Sequence, residues 1–367
     1  MFTNSIYAIK RKLKLKSHLL KNITRDLKSY IRKFLKLLNV AASTFFKNSR
    51  RLSSIYYAGV STKFSREHQA VLSGKAAYQK TLSKISDTSF MLRRNTHRLE
   101  KGLIMKPRRA VFAENFIEET VKTFRRAITL DCLNREEEKW IYDVLTEYFS
   151  VVDDSQIIKK ARLIFDEISR DYQSEKKYTP YPFDDLLESD ISYGELRKLF
   201  IKRRSVRWYQ DKHVSHDLIE KAVEIASLAP SACNRQPYSF YVSDNKEKAI
   251  EIAKCAGGTA GWADNIPCTI AIVGDLSAYP EERDRHLIYI DGSLAAMQLM
   301  LALETMGLSS CSINWADVEK AENRIRKLLN LKIYQRPIML LSVGYAQTMG
   351  GIPFSQKKDP KILIKKV

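Results

Sequence analysis

The chain has 367 residues, enough for a large core and more than one structural unit. A hydrophobic content of 44% and a charged content of 28% exclude a disordered or fibrous polymer and suit a globular protein. The net charge of +20 is concentrated: residues 1–60 hold 14 Lys/Arg against one acid, Asp26, and the other 307 residues carry +7.

Residues 13–38 read LKLKSHLLKNITRDLKSYIRKFLKLL. Leu20, Ile23, Leu27, Ile31, Phe34 and Leu38 recur at three/four spacing with cations between them, which predicts a basic amphipathic helix. Such a helix can lie on an anionic membrane surface or dock on a partner; the alternative is a stripe that packs on its own domain. Nucleic acid is disfavoured, because the arm has no zinc pattern or base-reading motif and charge alone gives only non-specific phosphate affinity.

Helical periodicity dominates 85–173. Within it, Gly102 and Pro107 punctuate NTHRLEKGLIMKPRRA (95–110), where His97 and Arg98 are candidates for lid or substrate contacts beside a purely structural reading. SEKKYTPYPFDDLLESD (174–190), with Pro180 and Pro182, is the linker candidate. Beyond it helices alternate with a few very apolar strands, the texture of a layered α/β-type domain. The expected organisation is an arm (1–60), a helical region (61–173), the linker (174–190) and a C-terminal domain (191–367).

The five cysteines, Cys132, Cys233, Cys255, Cys268 and Cys311, form no C-x-x-C pair and no metal-ligand spacing. They predict reduced thiols in a cytoplasmic protein without a metal site. No apolar run approaches the ~18–20 residues of a membrane span, and no secretory h-region is expected. An organellar transit peptide is the alternative for the acid-poor N-terminus.

Four segments of the second half carry chemistry together. KRRSVRWYQ (202–210) sets Lys202, Arg203, Arg204 and Arg207 around Ser205 and follows with Trp208 and Tyr209. Arginine forks and a hydroxyl suit a phosphate, although the same cations alone could be a solvated helix end. LAPSACNRQPY (228–238) fixes Ser231, Asn234 and Gln236 between two prolines, where they offer polar groups to a ring edge. LETMGLSSCSI (303–313) ends a helix at Gly307 and presents Ser309 and Ser310. VGYAQTMGGIPFSQKKDP (343–360) runs from a buried strand into a glycine-rich loop with Lys357 and Lys358.

Five pieces in order, RRSVRWY, APSACNRQP, DGSLAAMQLMLALETMGLSSC, RPIMLLSVGY and KKDP, resemble the FMN-dependent nitroreductase family. The resemblance covers residues 193–367 and says nothing of 1–190. It implies an α+β fold, a central mostly antiparallel sheet flanked by helices, here preceded by an all-helical N-terminal region. It also implies a homodimer with FMN at the interface and ping-pong hydride transfer. NAD(P)H would give hydride through flavin N5 to a small organic acceptor such as a nitro compound, quinone, enone or dedicated pathway metabolite.

On this resemblance Arg203 and Ser205 would hold the phosphate, Arg204 would lie on the phosphate or the ribityl chain, and Arg207 would reach the pyrimidine edge. Ser231, Asn234 and Gln236 would contact the flavin from the partner subunit. Ser309 and Ser310 would lie near the ring, and Lys357 or Lys358 would complete the phosphate site. No side chain need act as catalytic acid or base. Two departures stand out: GGTAGWADN (257–265) is glycine-rich where relatives place an Asn or Lys, and Gln298 stands where Asn is common. The terminal KILIKKV reads as extended. The alternatives are a specialised flavin reaction, dehalogenation or flavin fragmentation, or a non-catalytic membrane-associated scaffold.

Overall fold

The computed structural model describes residues 24–31, 33–34, 37–38, 40–81, 85, 87–168, 170, 172 and 176–367. The chain falls into two units, Met1–His68 and Gln69–Val367. In the first, the start of the expected amphipathic helix, 13–23, lies outside the described residues. The described positions from 24 to 38 are helical, and Leu27, Ile31, Phe34 and Leu38 are exposed. Ser49 accepts from Leu52 N to start α1 (Arg50–Ile55), and a π-helical turn, Tyr56–Val60, follows. Helix α2 (Ser65–Thr81) begins here and continues into the second unit.

The second unit opens with four helices: α3 (Phe90–Leu103), α4 (Ile117–Thr129), α5 (Arg135–Val151) and α6 (Gln156–Asp166). Their starts follow capping chemistry. The side chains of Ser89, Asn134 and Ser155 accept from Leu92, Glu136 and Ile158 N, and α5 carries Glu136, Glu137 and Glu138 in its first turn. Leu92, Leu99, Val121, Phe124, Ile141, Leu145, Tyr148 and Ile158 are fully buried in their shared core. Residues 181–192 are exposed and lead to α7 (Tyr193–Lys202), which starts with a Ser192/Glu195 capping box.

The remaining elements are α8 (His216–Ser227), β1 (Tyr238–Ser243), α9 (Lys246–Ala253), β2 (Cys268–Asp275), α10 (Leu287–Thr305), β3 (Ser309–Asn314), α11 (Glu319–Leu328), β4 (Gln335–Gly344) and α12 (Pro360–Leu363). The strands form one antiparallel sheet in the order β1-β2-β4-β3. Successive residues of β2 point to opposite faces. Ala271 and Val273 join Ile252, Ile313, Ile325 and Leu340 on one, and Ile270 and Ile272 join Leu299, Leu303, Leu341 and Val343 on the other. Both faces are therefore covered, and the class is α+β, as expected.

Two expectations are corrected. One helical stretch among the described residues, Glu282–Thr305, is long and apolar enough to cross a membrane, with a mean hydropathy of 1.4. Half of that window is buried, because α10 is the core helix against the sheet. KILIKKV is not extended throughout: Asp359 accepts from Lys361 N, Pro360 takes the first helical position, and one turn forms.

Candidate cofactor site

Helix α7 stops at Lys202 because Arg203 turns to extended backbone, and the chain then runs along β3. Ser205 forms a parallel bridge with Ser310, and Val206 N donates to Ser310 O at 3.2 Å. Four residues later Tyr209 bridges Ala346, beyond the end of β4. The buried Tyr209 hydroxyl lies 2.7 Å from Val206 O and 2.8 Å from Ser342 Oγ. Gly344 makes room for this ring: a Cβ there would fall 2.8 Å from Tyr209 and 2.6 Å from Pro267. The segment 203–209 is thus stitched to the end of the sheet by backbone as well as side chains.

Asn265 completes the stitching. Its Oδ1 accepts from Tyr209 N at 2.8 Å, and its Nδ2 donates to Arg207 O at 2.9 Å and to Trp262 O. The Arg207 guanidinium lies 6.0 Å from the Trp262 ring centre. The segment that sequence reasoning saw as glycine-rich therefore contains the residue that fixes the backbone of Arg207. Its Asn side chain bonds protein here.

The charge balance of this corner is one-sided. Among the described residues no carboxylate lies within ion-pair distance of Arg203, Arg204 or Arg207; the nearest such pairing is Lys202 with Glu304, at 3.9 Å. Arg203 Nε and Ser310 Oγ are buried with no hydrogen-bond partner. Leaving such groups unpaired costs about 1–3 kcal/mol each, more when charged, so a ligand that accepts from them has much to gain. Burial pushes the Glu304 carboxyl above its ordinary value, against Lys202 and Arg203. Burial also raises the Cys311 thiol, with Arg207, Ser205 and Arg203 working against it. Cys311 is a packing residue inside the cation cluster. The donor set, guanidiniums plus hydroxyls and no competing carboxylate, fits a phosphate.

The second expected half of the site is elsewhere. Cys233, Asn234 and Gln236 all have left-handed backbone, with φ of 54°, 51° and 48°. Ser231 Oγ accepts from Gln236 N at 3.0 Å, and Asp291, buried in α10, accepts from Ala232 N at 3.0 Å. The loop enters β1 at Tyr238, which faces Gly274 of β2, and Gly274 faces Arg336 of β4. The arginine corner adjoins Ser310, which faces Val343, and Val343 faces Cys268. From Cys268 to Gly274 is about 20 Å along the strand, and β1 and β3 are opposite edges, three strand spacings or about 14 Å apart. The two halves stand at diagonal corners of the sheet.

The structure therefore brings Arg203, Arg204, Ser205, Arg207, Ser309 and Ser310 together, and sets Ser231, Asn234 and Gln236 apart from them. Lys357 and Lys358 lie on an exposed tail, 351–367, and their side chains make no hydrogen bond or ion pair. The chain just before the tail is held through Gln347, whose N donates to Trp208 O and whose Nε2 donates to Tyr209 O. Gln236 is already committed: its Nε2 donates to Ser227 O at 2.6 Å and its Oε1 accepts from Arg93 at 3.0 Å. Arg93 belongs to α3, and the motifs gave no sign of it. His97 pairs with Glu100 at 3.2 Å, and Arg98 stacks on Phe116 at 3.8 Å. Gln298 Oε1 is buried without a partner.

The fold is an antiparallel α+β sheet with an arginine- and hydroxyl-lined corner whose donors suit an anion. Comparison with known proteins narrows the class. Residues 201–260 and 251–345 match the profile of the nitroreductase family. A protein of Archaeoglobus fulgidus, named as an NADH dehydrogenase/NAD(P)H nitroreductase, is 32% identical over 151 residues, 41% of this chain and 82% of its own length. Another, named alike, from Methanothermobacter thermautotrophicus is 28% identical over 162 residues, 43% of this chain and 81% of its own. Mouse iodotyrosine deiodinase 1 is 25% identical over 209 residues, 49% of this chain and 71% of its own. Among solved structures, the FMN-dependent nitroreductase of Clostridium difficile R20291 is 28% identical, covering 44% of this chain and 94% of its own, with a TM-score of 0.38. The chain belongs to the nitroreductase family, a family of FMN-dependent NAD(P)H oxidoreductases.

Proposed function

We propose that the protein is an FMN-dependent oxidoreductase that draws electrons from NAD(P)H and reduces a small organic acceptor. The observation that carries the reading is the arginine corner: three guanidiniums without carboxylate partners beside the buried, unpartnered Arg203 Nε and Ser310 Oγ. Arg203, Arg204 and Ser205 would hold the phosphate, with Lys357 or Lys358 closing over it from the tail. Arg207, braced by Asn265 and Trp262, would place a fixed positive charge at the pyrimidine edge, where it favours the reduced, anionic cofactor. Ser309 and Ser310 would offer hydroxyls and amides near the ring. FMN bound there would supply the hydride chemistry, and the chain would bind, orient and desolvate it.

The diagonal placement of the two halves supports a homodimer. One chain cannot lay both corners on a single cofactor, whereas a second copy can bring its Ser231–Gln236 loop to the first copy's arginine corner. Gln236 would then act through its backbone and Asn234 through its side chain.

The test is an anaerobic absorbance titration of the purified chain with FMN and then NADPH or NADH. Flavin bands that bleach on NAD(P)H addition, with Arg203→Ala weakening FMN binding at least tenfold, are the expected result. A chain that takes up no FMN would sink the reading. The iodotyrosine deiodinase relatives favour keeping reductive dehalogenation as the second reaction class. Bound FMN that NAD(P)H fails to reduce, but dithionite reduces with turnover of a halogenated aromatic, would select it.

A further inference from the structure

We propose that Arg93 is a positioning residue for the 231–236 loop, so that the helical region 90–151 completes the cofactor site. The inference rests on the reading of that loop as flavin-contacting, and it extends the site into a part of the chain that the family motifs do not reach.

Arg93 is half a guanidinium turned to each side of a joint. Nε donates to Asn234 O at 2.8 Å and Nη2 to Gln236 Oε1 at 3.0 Å. Nη1 donates to Glu137 Oε2, in α5, at 2.8 Å, and the ion pair is largely buried on both sides. Trp140 lies one turn further along α5, with the Arg93 guanidinium 5.4 Å from its ring centre. Glu137 is itself fixed, for Thr88 Oγ1 donates to it at 2.8 Å and Ser89 N at 3.1 Å. Both Glu137 carboxylate oxygens, the Asn234 carbonyl and Gln236 Oε1 thus each have a donor.

The loop needs such a clamp. Left-handed backbone at a non-glycine residue costs of order 1–3 kcal/mol and persists only when the surroundings over-determine it. Here three of four consecutive positions, Cys233, Asn234 and Gln236, adopt it. Ser231 and Asp291 hold the loop from its own domain, and Arg93 holds the carbonyl of one left-handed residue and the side chain of another. No hydrogen bond occupies the Asn234 side chain, which leaves it for a ligand. A planar fork is required for this geometry. Lysine offers a single nitrogen and cannot reach Asn234, Gln236 and Glu137 at once.

The experiment compares wild type, Arg93→Lys and Glu137→Gln as full-length chains. Hydrogen exchange of the 231–238 backbone amides is read without cofactor, and FMN affinity by flavin fluorescence. The expected result for Arg93→Lys is exchange at least tenfold faster, confined to the loop, with FMN affinity lowered at least tenfold and a changed visible circular dichroism of bound flavin. Glu137→Gln, which keeps size and shape and removes the charge behind Arg93, should show both effects in smaller measure. Unchanged loop exchange in both variants overturns the proposal. So does faster exchange with FMN affinity and dichroism unchanged, and so does exchange that rises across the whole chain in both, which is loss of fold. A wild type that binds no FMN fails the cofactor reading instead, and that outcome is visible before any variant is compared.

Discussion

At the scale of single residues, polar groups without partners told more than polar groups with them. The sequence showed four cations around Ser205 but could not show which would be neutralised. The structure pairs Lys202 with Glu304 and leaves the arginines free of carboxylates. Glu304 has the opposite problem, a carboxylate that is 5% exposed. Its burial outweighs Lys202 and Arg203, so its folded proton affinity is raised above the ordinary carboxylate value of 4.5. A raised acid stabilises the fold below its unfolded value and loses that contribution as pH climbs through the folded value. Glu304→Gln escapes the loss. Its melting temperature should match wild type about one pH unit below 4.5 and exceed it by a few degrees at pH 8. Equal curves at both pH values would show that the two cations already compensate the charge. Asn265 and Arg93 were missed for a different reason: each acts through contacts more than 50 positions away in sequence, and no local pattern marks such a partner.

At the scale of elements, the strands and the long helix were legible as nearly continuous apolar runs, short and buried on both faces in β2 and longer in α10. What periodicity does not reveal is which apolar face a second copy covers. On α10, Tyr289, Ile290 and Leu294 are exposed along one edge, as are Leu196, Phe200 and Ile201 on the packed neighbour α7. On the homodimer reading this apolar surface is the interface. Burying one Leu side chain is worth about 1.5–3 kcal/mol, and a two-fold axis counts it twice. Leu294→Glu should therefore weaken the dimer at least ~100-fold, seen by light scattering across a dilution series. A dimer that survives the change at the same concentration would move the interface to another face.

At the scale of the whole molecule, the family motifs read the C-terminal half well and were silent on the rest. The resemblance carried by those motifs implied the antiparallel α+β sheet and named the arginine corner and the 231–236 loop. The helical region could be seen as helices but not as a support for the loop. For the N-terminal unit, the described helix exposes Leu27, Tyr30, Ile31, Phe34 and Leu38 among cations, and an anionic lipid surface is the partner we propose. The full-length chain should sediment with vesicles containing phosphatidylserine, less with phosphatidylcholine alone, and less again at high salt. An Ile31→Ser/Phe34→Ser double variant should lose at least tenfold in that binding. Sedimentation indifferent to lipid charge and to the double variant would leave the helix to a protein partner.

The diagonal separation of the two half-sites has a consequence for abundance. On the homodimer reading, the cofactor pocket is divided between two chains and exists only in the assembled pair, so chain association and flavin retention would be linked by mass action. Each stabilises the other. In a cell that makes little of the protein, the fraction carrying cofactor would fall faster than the amount of chain. Specific activity per molecule would then depend on expression level, a property that a pocket built within one chain does not have.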